Sequence, residues 1–147
     1  MQASTVPKMA AFIGKWKGDM KNAKNYDEFC KASEFPGDLA EKFRNSTFDL
    51  EFSRDGDKWK CAFNSDVMGS KIYEFTPGVE VTTYDPIEKG YKYTITIESD
   101  TKMVERNQSE MANWTPMKVV REVKDDKIHE TTTLEGGVSM TSFLTKA

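Results

Sequence analysis

From residue 46 to the C-terminus the chain repeats one pattern: large apolar residues alternate with polar ones over short runs, and each run ends at a turn. Phe48, Leu50 and Phe52 alternate with Asp49 and Glu51, and Trp59, Cys61 and Phe63 alternate beyond Arg54-Asp55-Gly56-Asp57. A period of two is strand spacing, with the large side chains on one face. An Asp-Gly pair between two such runs makes a hairpin turn. Similar runs recur at 72–75, 79–83, 91–97, 103–107, 117–123, 128–133 and 138–143, with turn residues at 76–78, 88–90, 99–100, 124–126 and 135–137. Short strands at a regular spacing of roughly 8–12 residues indicate an antiparallel barrel or sandwich.

The later runs choose between those two. Glu105 shares a face with Asn107, Glu130 with Thr132, Arg121 with Val119 and Val123, and Thr141 with Phe143. So many polar groups damage a dry core unless they pair or meet water. A barrel wide enough to enclose a wet cavity tolerates them.

The N-terminal region differs. Residues 1–9 read as a flexible arm, and residues 10–147 as a single domain, as the length of 147 implies. Residues 10–20 read as the first strand, with Phe12, Gly14 and Trp16 on one face. Asn25 with Glu28 three residues on forms a capping-box pattern. Tyr26, Phe29 and Cys30 then lie on one helical face. Phe35-Pro36-Gly37 breaks this helix, and a second short one follows with Leu39, Ala40 and Phe43 inward. Two helices this short cannot bury themselves, so they must cover something else.

Composition excludes several functions. The net charge is −3 with both signs interspersed, and no basic stripe suits a phosphate backbone, so no nucleic-acid partner is expected. No apolar run approaches the ~20 residues of a membrane span. The first residues lack the apolar block of a secretory signal, so the cytoplasm is the expected compartment. Cys30 and Cys61 fit reduced thiols, and sequons at Asn45, Asn107 and Asn113 fit chance occurrence in a cytosolic chain. No metal ligand set can be built around His129, the single histidine, which alternation places outward. There is no nucleophile motif with a base and no phosphate-cradling glycine loop, so neither an enzyme nor a cofactor is expected. Glu105 and Glu130 as an acid–base couple is the remaining enzymatic alternative.

The ordered set Phe12-Ile13-Gly14-Lys15-Trp16-Lys17, Lys24-Asn25-Tyr26-Asp27-Glu28-Phe29, Gly56-Asp57, Gly78-Val79-Glu80 and Val120-Arg121-Glu122 resembles the intracellular lipid-binding proteins, the family of fatty-acid-binding and cellular retinoid-binding proteins. The resemblance runs from residue 10 to the C-terminus. It implies an all-β fold: a ten-stranded, slightly open, antiparallel up-and-down β-barrel with a helix-turn-helix lid and a ligand cavity. The implied function is that of a monomeric carrier of a long-chain fatty acid or similar hydrophobic ligand, with transient membrane contact through the lid. A retinoid, sterol-like lipid or pigment, or a recruited enzyme on the same barrel, is the alternative.

The family's ligand head group is typically held by an arginine two strands from the end and an Arg-x-Tyr on the last strand. Arg121 matches the first. Thr141 and Phe143 stand where the pair is expected. Two readings stay open. Arg121 grips a ligand carboxylate, with Asn107, Thr132, Thr141 and Val119 around it, or Glu130 neutralises Arg121 and the ligand is neutral or bulky. The resemblance further implies an entrance built from Tyr26, Phe29, Cys30, Phe35, Leu39, Phe43 and Met68. Lys31, Lys42 and Arg44 read as a solvated helix face, or as a small docking patch.

Overall fold

The computed structural model describes residues 10–147. The arm expected at residues 1–9 lies outside the described residues. The strands are β1 (Gly14–Asp19), β2 (Thr47–Asp55), β3 (Lys58–Ser65), β4 (Gly69–Phe75), β5 (Val81–Tyr84), β6 (Gly90–Ser99), β7 (Lys102–Ser109), β8 (Met117–Lys124), β9 (Lys127–Leu134) and β10 (Ser139–Lys146). Two helices, α1 (Tyr26–Ala32) and α2 (Gly37–Phe43), separate β1 from β2. Each alternating run of the sequence is a strand.

The ten strands form one sheet in the order β4-β3-β2-β1-β10-β9-β8-β7-β6-β5. All neighbours are antiparallel, and β1 pairs with both β2 and β10, which joins the first and last strands of the chain within one sheet. Turn chemistry supports this. Asp125 and Asp126 both take positive φ, 55° and 61°, as a two-residue turn between β8 and β9 requires. The pairing leaves β4 and β5 as the two edges of an open seam. Tyrosines bridge it: the Tyr93 hydroxyl on β6 donates to the Glu74 carbonyl on β4 at 2.6 Å, and the Tyr73 ring packs on those of Tyr91 and Tyr93.

The first strand is shorter than the alternation implies. Ala10–Phe12 form a 3-10 turn, and the strand starts only at Gly14. Phe12 therefore plugs the barrel end rather than extending its wall, and its carbonyl accepts the indole N–H of Trp16 at 2.9 Å. Around that plug Phe52, Trp59, Phe75, Met103, Ile128 and Leu144 are buried and form the dry core. Gly18 matters for a different reason. A Cβ there would lie 2.4 Å from the ring of Phe48, its cross-strand partner, so only glycine lets that ring lie across β1.

The lid corrects one local expectation. Asn25 does precede α1, but it adopts a left-handed conformation (φ 65°) and its side chain caps nothing. Its amide instead donates to the Ser139 carbonyl of β10 at 2.8 Å. Beside it, Lys24 and Thr141 exchange two backbone hydrogen bonds of 2.7 and 3.2 Å. The residue read as a helix cap is thus a tether that fastens the lid to the barrel. Within the lid, the Tyr26 hydroxyl donates to the Ala40 carbonyl at 2.6 Å, joining the two helices. Arg44 is ion-paired with Asp27 and Glu41, so it is not a free member of a docking patch.

Candidate functional site

Between the dry core and the lid the barrel is hollow. The space divides into two chambers that share Phe48, Phe63, Met68, Met111 and Glu130 as walls. The deep chamber, about 270 Å³, runs toward Cys61, Tyr73, Tyr91, Glu105 and Arg121. The upper chamber, about 250 Å³, lies under the lid against Tyr26, Phe29, Cys30, Phe35, Phe43 and Met140. Together they fall within the range of about 300–1,000 Å³ typical of small-molecule sites.

Sheet register assembles the deep end. Arg121 on β8 lies opposite Glu130 on β9, and Glu130 lies opposite Ser142 on β10. The Arg121 Nε–H donates to Glu130 Oε2 at 2.7 Å, and its Nη1 donates to Glu105 Oε1 on β7 at 2.9 Å. The Ser142 hydroxyl donates to the other Glu130 oxygen at 3.2 Å. The second Glu105 oxygen accepts the Asn107 amide at 2.8 Å and the Tyr91 hydroxyl. The Arg121, Glu105 and Glu130 side chains are 14%, 7% and 13% exposed, so this is an interior ionic network.

Burial alone pushes the Glu105 carboxyl up, but the Arg121 charge and the hydrogen bonds from Tyr91, Arg121 and Asn107 outweigh it. The carboxyl ends below its ordinary value and is ionised. Burial works against the Arg121 charge, yet Glu130 and Glu105 raise its pKa above the usual arginine value. Burial, then the Glu105 charge and hydrogen bond, lift Tyr91 well above an ordinary phenol. Burial pushes the Cys61 thiol up to about 12, so it is neutral. Among the described residues no three His, Cys, Asp or Glu side chains are placed to hold a metal ion.

The residues expected from the sequence divide into three groups. Arg121, Glu130, Tyr26, Phe29, Phe35, Phe43 and Met68 line the chambers. Asn107, Val119 and Thr132 are buried but line neither chamber, and Asn107 buttresses Glu105. Leu39, half-buried, also lines neither. Thr141 and Phe143 correct the reading. Because Ser142 faces Glu130 inside, its neighbours point outward. Thr141 lies opposite Thr131, and the Phe143 ring packs on His129 at 5.0 Å with Lys24 over it. The inward residues of β10 are Met140, Ser142 and Leu144. The expected parity was off by one residue, which turns every side chain of a strand over.

Sequence reasoning missed Glu105 as a second partner of Arg121, Tyr91 as its buttress, and Met111 as a wall. Alternation contained the first two, since Glu105 and Tyr91 share faces with Asn107 and Tyr93. Met111 lies in a 3-10 turn (Glu110–Ala112) after β7, which carries no periodic signal.

A two-helix lid over a nearly closed ten-stranded barrel with a polar-ended cavity is the architecture of a small-ligand binding protein. The model of the lipocalin / cytosolic fatty-acid binding protein family matches residues 9–146, and the chain belongs to that family. Gastrotropin of Oryctolagus cuniculus is 32% identical over 129 residues, covering 88% of this chain and 92% of that protein. Gastrotropin of Mus musculus is 33% identical over 98 residues, 65% of this chain and 73% of that protein. Among solved structures, the Schistosoma mansoni fatty acid binding protein in complex with arachidonic acid superposes with a TM-score of 0.83 at 22% identity, over 95% of this chain and 98% of that one. At that identity the likeness is one of fold.

Proposed function

We propose that the protein is an intracellular carrier that holds one small hydrophobic ligand, a fatty acid or similar lipid, inside the barrel. The observation that carries this reading is the pair of joined chambers, with an apolar one under the lid and a deep one ending in a buried ionic network. Tyr26, Phe29, Phe35, Phe43 and Met68 contact the ligand tail. Each buried methylene contributes about 0.8 kcal/mol, so the tail supplies most of the affinity and the deep end sets orientation.

The occupied Arg121 fork supports the second head-group reading, because both carboxylates already hold the guanidinium. The same geometry argues against an acid–base couple, since Glu105 and Glu130 are both committed to Arg121. The reading places the carrier in the cytoplasm as a monomer, and exposed Lys31 and Lys42 on the lid suit brief contact with an anionic membrane. No described helix is long and apolar enough to cross one. Native mass spectrometry of protein purified without delipidation should show one co-purified lipid. An empty barrel that also takes up no fluorescent lipid, acidic or neutral, overturns the proposal.

A further inference from the structure

The charges that face the chambers do not balance. Among the described residues four charged side chains line them: Asp85, Glu105 and Glu130 are negative, and Arg121 is the single positive one. Asp85 is buried, and one of its oxygens accepts the backbone N–H groups of Ile87 and Lys89, which hold it in place without cancelling its charge. Among the described residues neither lysine nor histidine lines either chamber. The remaining titratable walls, Tyr73, Tyr91, Tyr93, Cys61 and, under the lid, Tyr26 and Cys30, are phenols and thiols that stay neutral when buried. The cavity is therefore anionic, although its one cation is an arginine in the place where a carboxylate receptor would have it.

A ligand carboxylate entering this space meets a guanidinium already shared by two carboxylates, and it adds a further negative charge at low dielectric. Interactions between charges a few ångströms apart are strong there. A head group that donates hydrogen bonds meets the opposite situation. Glu130 borders both chambers, and it is only 13% exposed, so its contact with a ligand is little screened.

Building on the carrier reading, we propose that the cavity selects a long-chain lipid with a cationic or hydroxyl head group, an alkyl amine before an alkyl alcohol, over a free fatty acid. The head group sits against Glu130, beside the Glu105–Arg121 pair, and the chain lies under the lid. The test is calorimetric titration of the delipidated full chain at pH 7 with dodecylamine, dodecanol and dodecanoate at matched ionic strength. The expected order of affinity is amine, alcohol, carboxylate, with about tenfold or more between the first and last. In Glu130→Gln, a near-isosteric change that leaves Arg121 paired with Glu105, the amine advantage should shrink about tenfold. Dodecanoate binding as tightly as the amine in the unmodified protein overturns the inference and leaves the carrier intact. If none of the three binds, the carrier reading falls as well. The ligand series needs no variant, so a poorly folding Glu130→Gln protein does not decide the matter.

Discussion

At the end of the barrel plugged by the 3-10 turn, Phe12 and Trp16 are fully buried and Phe52 and Trp59 nearly so. At the lid end, Phe48, Phe63, Phe35 and Phe43 are similar in size and just as apolar, yet all four are only half-buried. Phe52 and Trp59 at one end and Phe48 and Phe63 at the other come from the same two alternating strands, β2 and β3. The difference lies in what closes each end. The plugged end is filled by its own chain, which wedges Phe12 into the opening and locks Trp16 to it. The lid end is spanned by two seven-residue helices that touch each other and the rim. Aromatic side chains on a strand therefore make a core or a cavity wall according to whether other side chains reach them.

This contrast can be broken most directly by truncation. Trp16→Ala should cost about 3–5 kcal/mol in urea unfolding, because the surrounding core cannot collapse into the void. Phe43→Ala, whose ring faces open space and Phe35, should cost only about 1 kcal/mol. Equal losses would mean that the lid end is packed in solution and that no cavity is present.

The ionic network comes next. Arg121→Met removes the one cation and strands two carboxylates, which should cost about 3–5 kcal/mol at pH 7. Adding Glu105→Gln and Glu130→Gln to that variant should recover most of the loss, since the buried charges then disappear together. If the triple variant is no more stable than the single one, shape rather than charge holds this part of the barrel.

The contrast also marks what the sequence could convey. Ten strands, two helices and their order were legible, because alternation, turn residues and the Phe35-Pro36-Gly37 break are local signals. The inward placement of Glu105, Arg121 and Glu130 was legible too, since each shares a face with a neighbour whose burial is clear. The parity of β10 was not. Met140, Ser142 and Leu144 alternate with Thr141 and Phe143, so large and polar residues occur on both faces and neither declares itself. Only pairing with β9, which puts Ser142 opposite Glu130, decides it. Phe12 was misplaced for a related reason: spacing of two is shared by a strand and by a turn that happens to precede one. Asn25 fits a cap pattern, but a contact more than a hundred residues away takes its side chain.

Acidity offers a finer probe of the network. The native Glu105 carboxyl titrates below its ordinary value, to which it returns in the unfolded chain. Its contribution is complete above that ordinary value of about 4.3 and is lost as the pH falls through the lowered native one. Tyr91 has the opposite sign: its raised pKa gives stability below about 10 that is lost as the pH rises further. The gap in urea midpoint between the unmodified protein and Glu105→Gln should be widest near pH 7 and close below pH 4. For Tyr91→Phe the gap should close on the alkaline side. A gap independent of pH would assign both residues to packing alone.

The smallest effect concerns the tether. Asn25→Ala removes the 2.8 Å bond to Ser139 but leaves the Lys24–Thr141 backbone pair, so global stability should fall by only about 1 kcal/mol. Its consequence should be local. Helix α1 is fastened to β10 at this point, while just beyond its other end Glu34 accepts a hydrogen bond from the Asn113 side-chain amide at 3.1 Å. Loosening one of two attachments lowers the free energy of opening the lid without touching the plugged end. Amide hydrogen exchange should accelerate in Tyr26–Ala32 and stay unchanged in β2 and β3 around Phe52 and Trp59. Release of a bound fluorescent lipid should quicken by a similar factor, a few-fold, with little change in its uptake. Exchange that rises equally at both ends would show the tether to be part of the global fold, and the two ends of the barrel would then open as one unit.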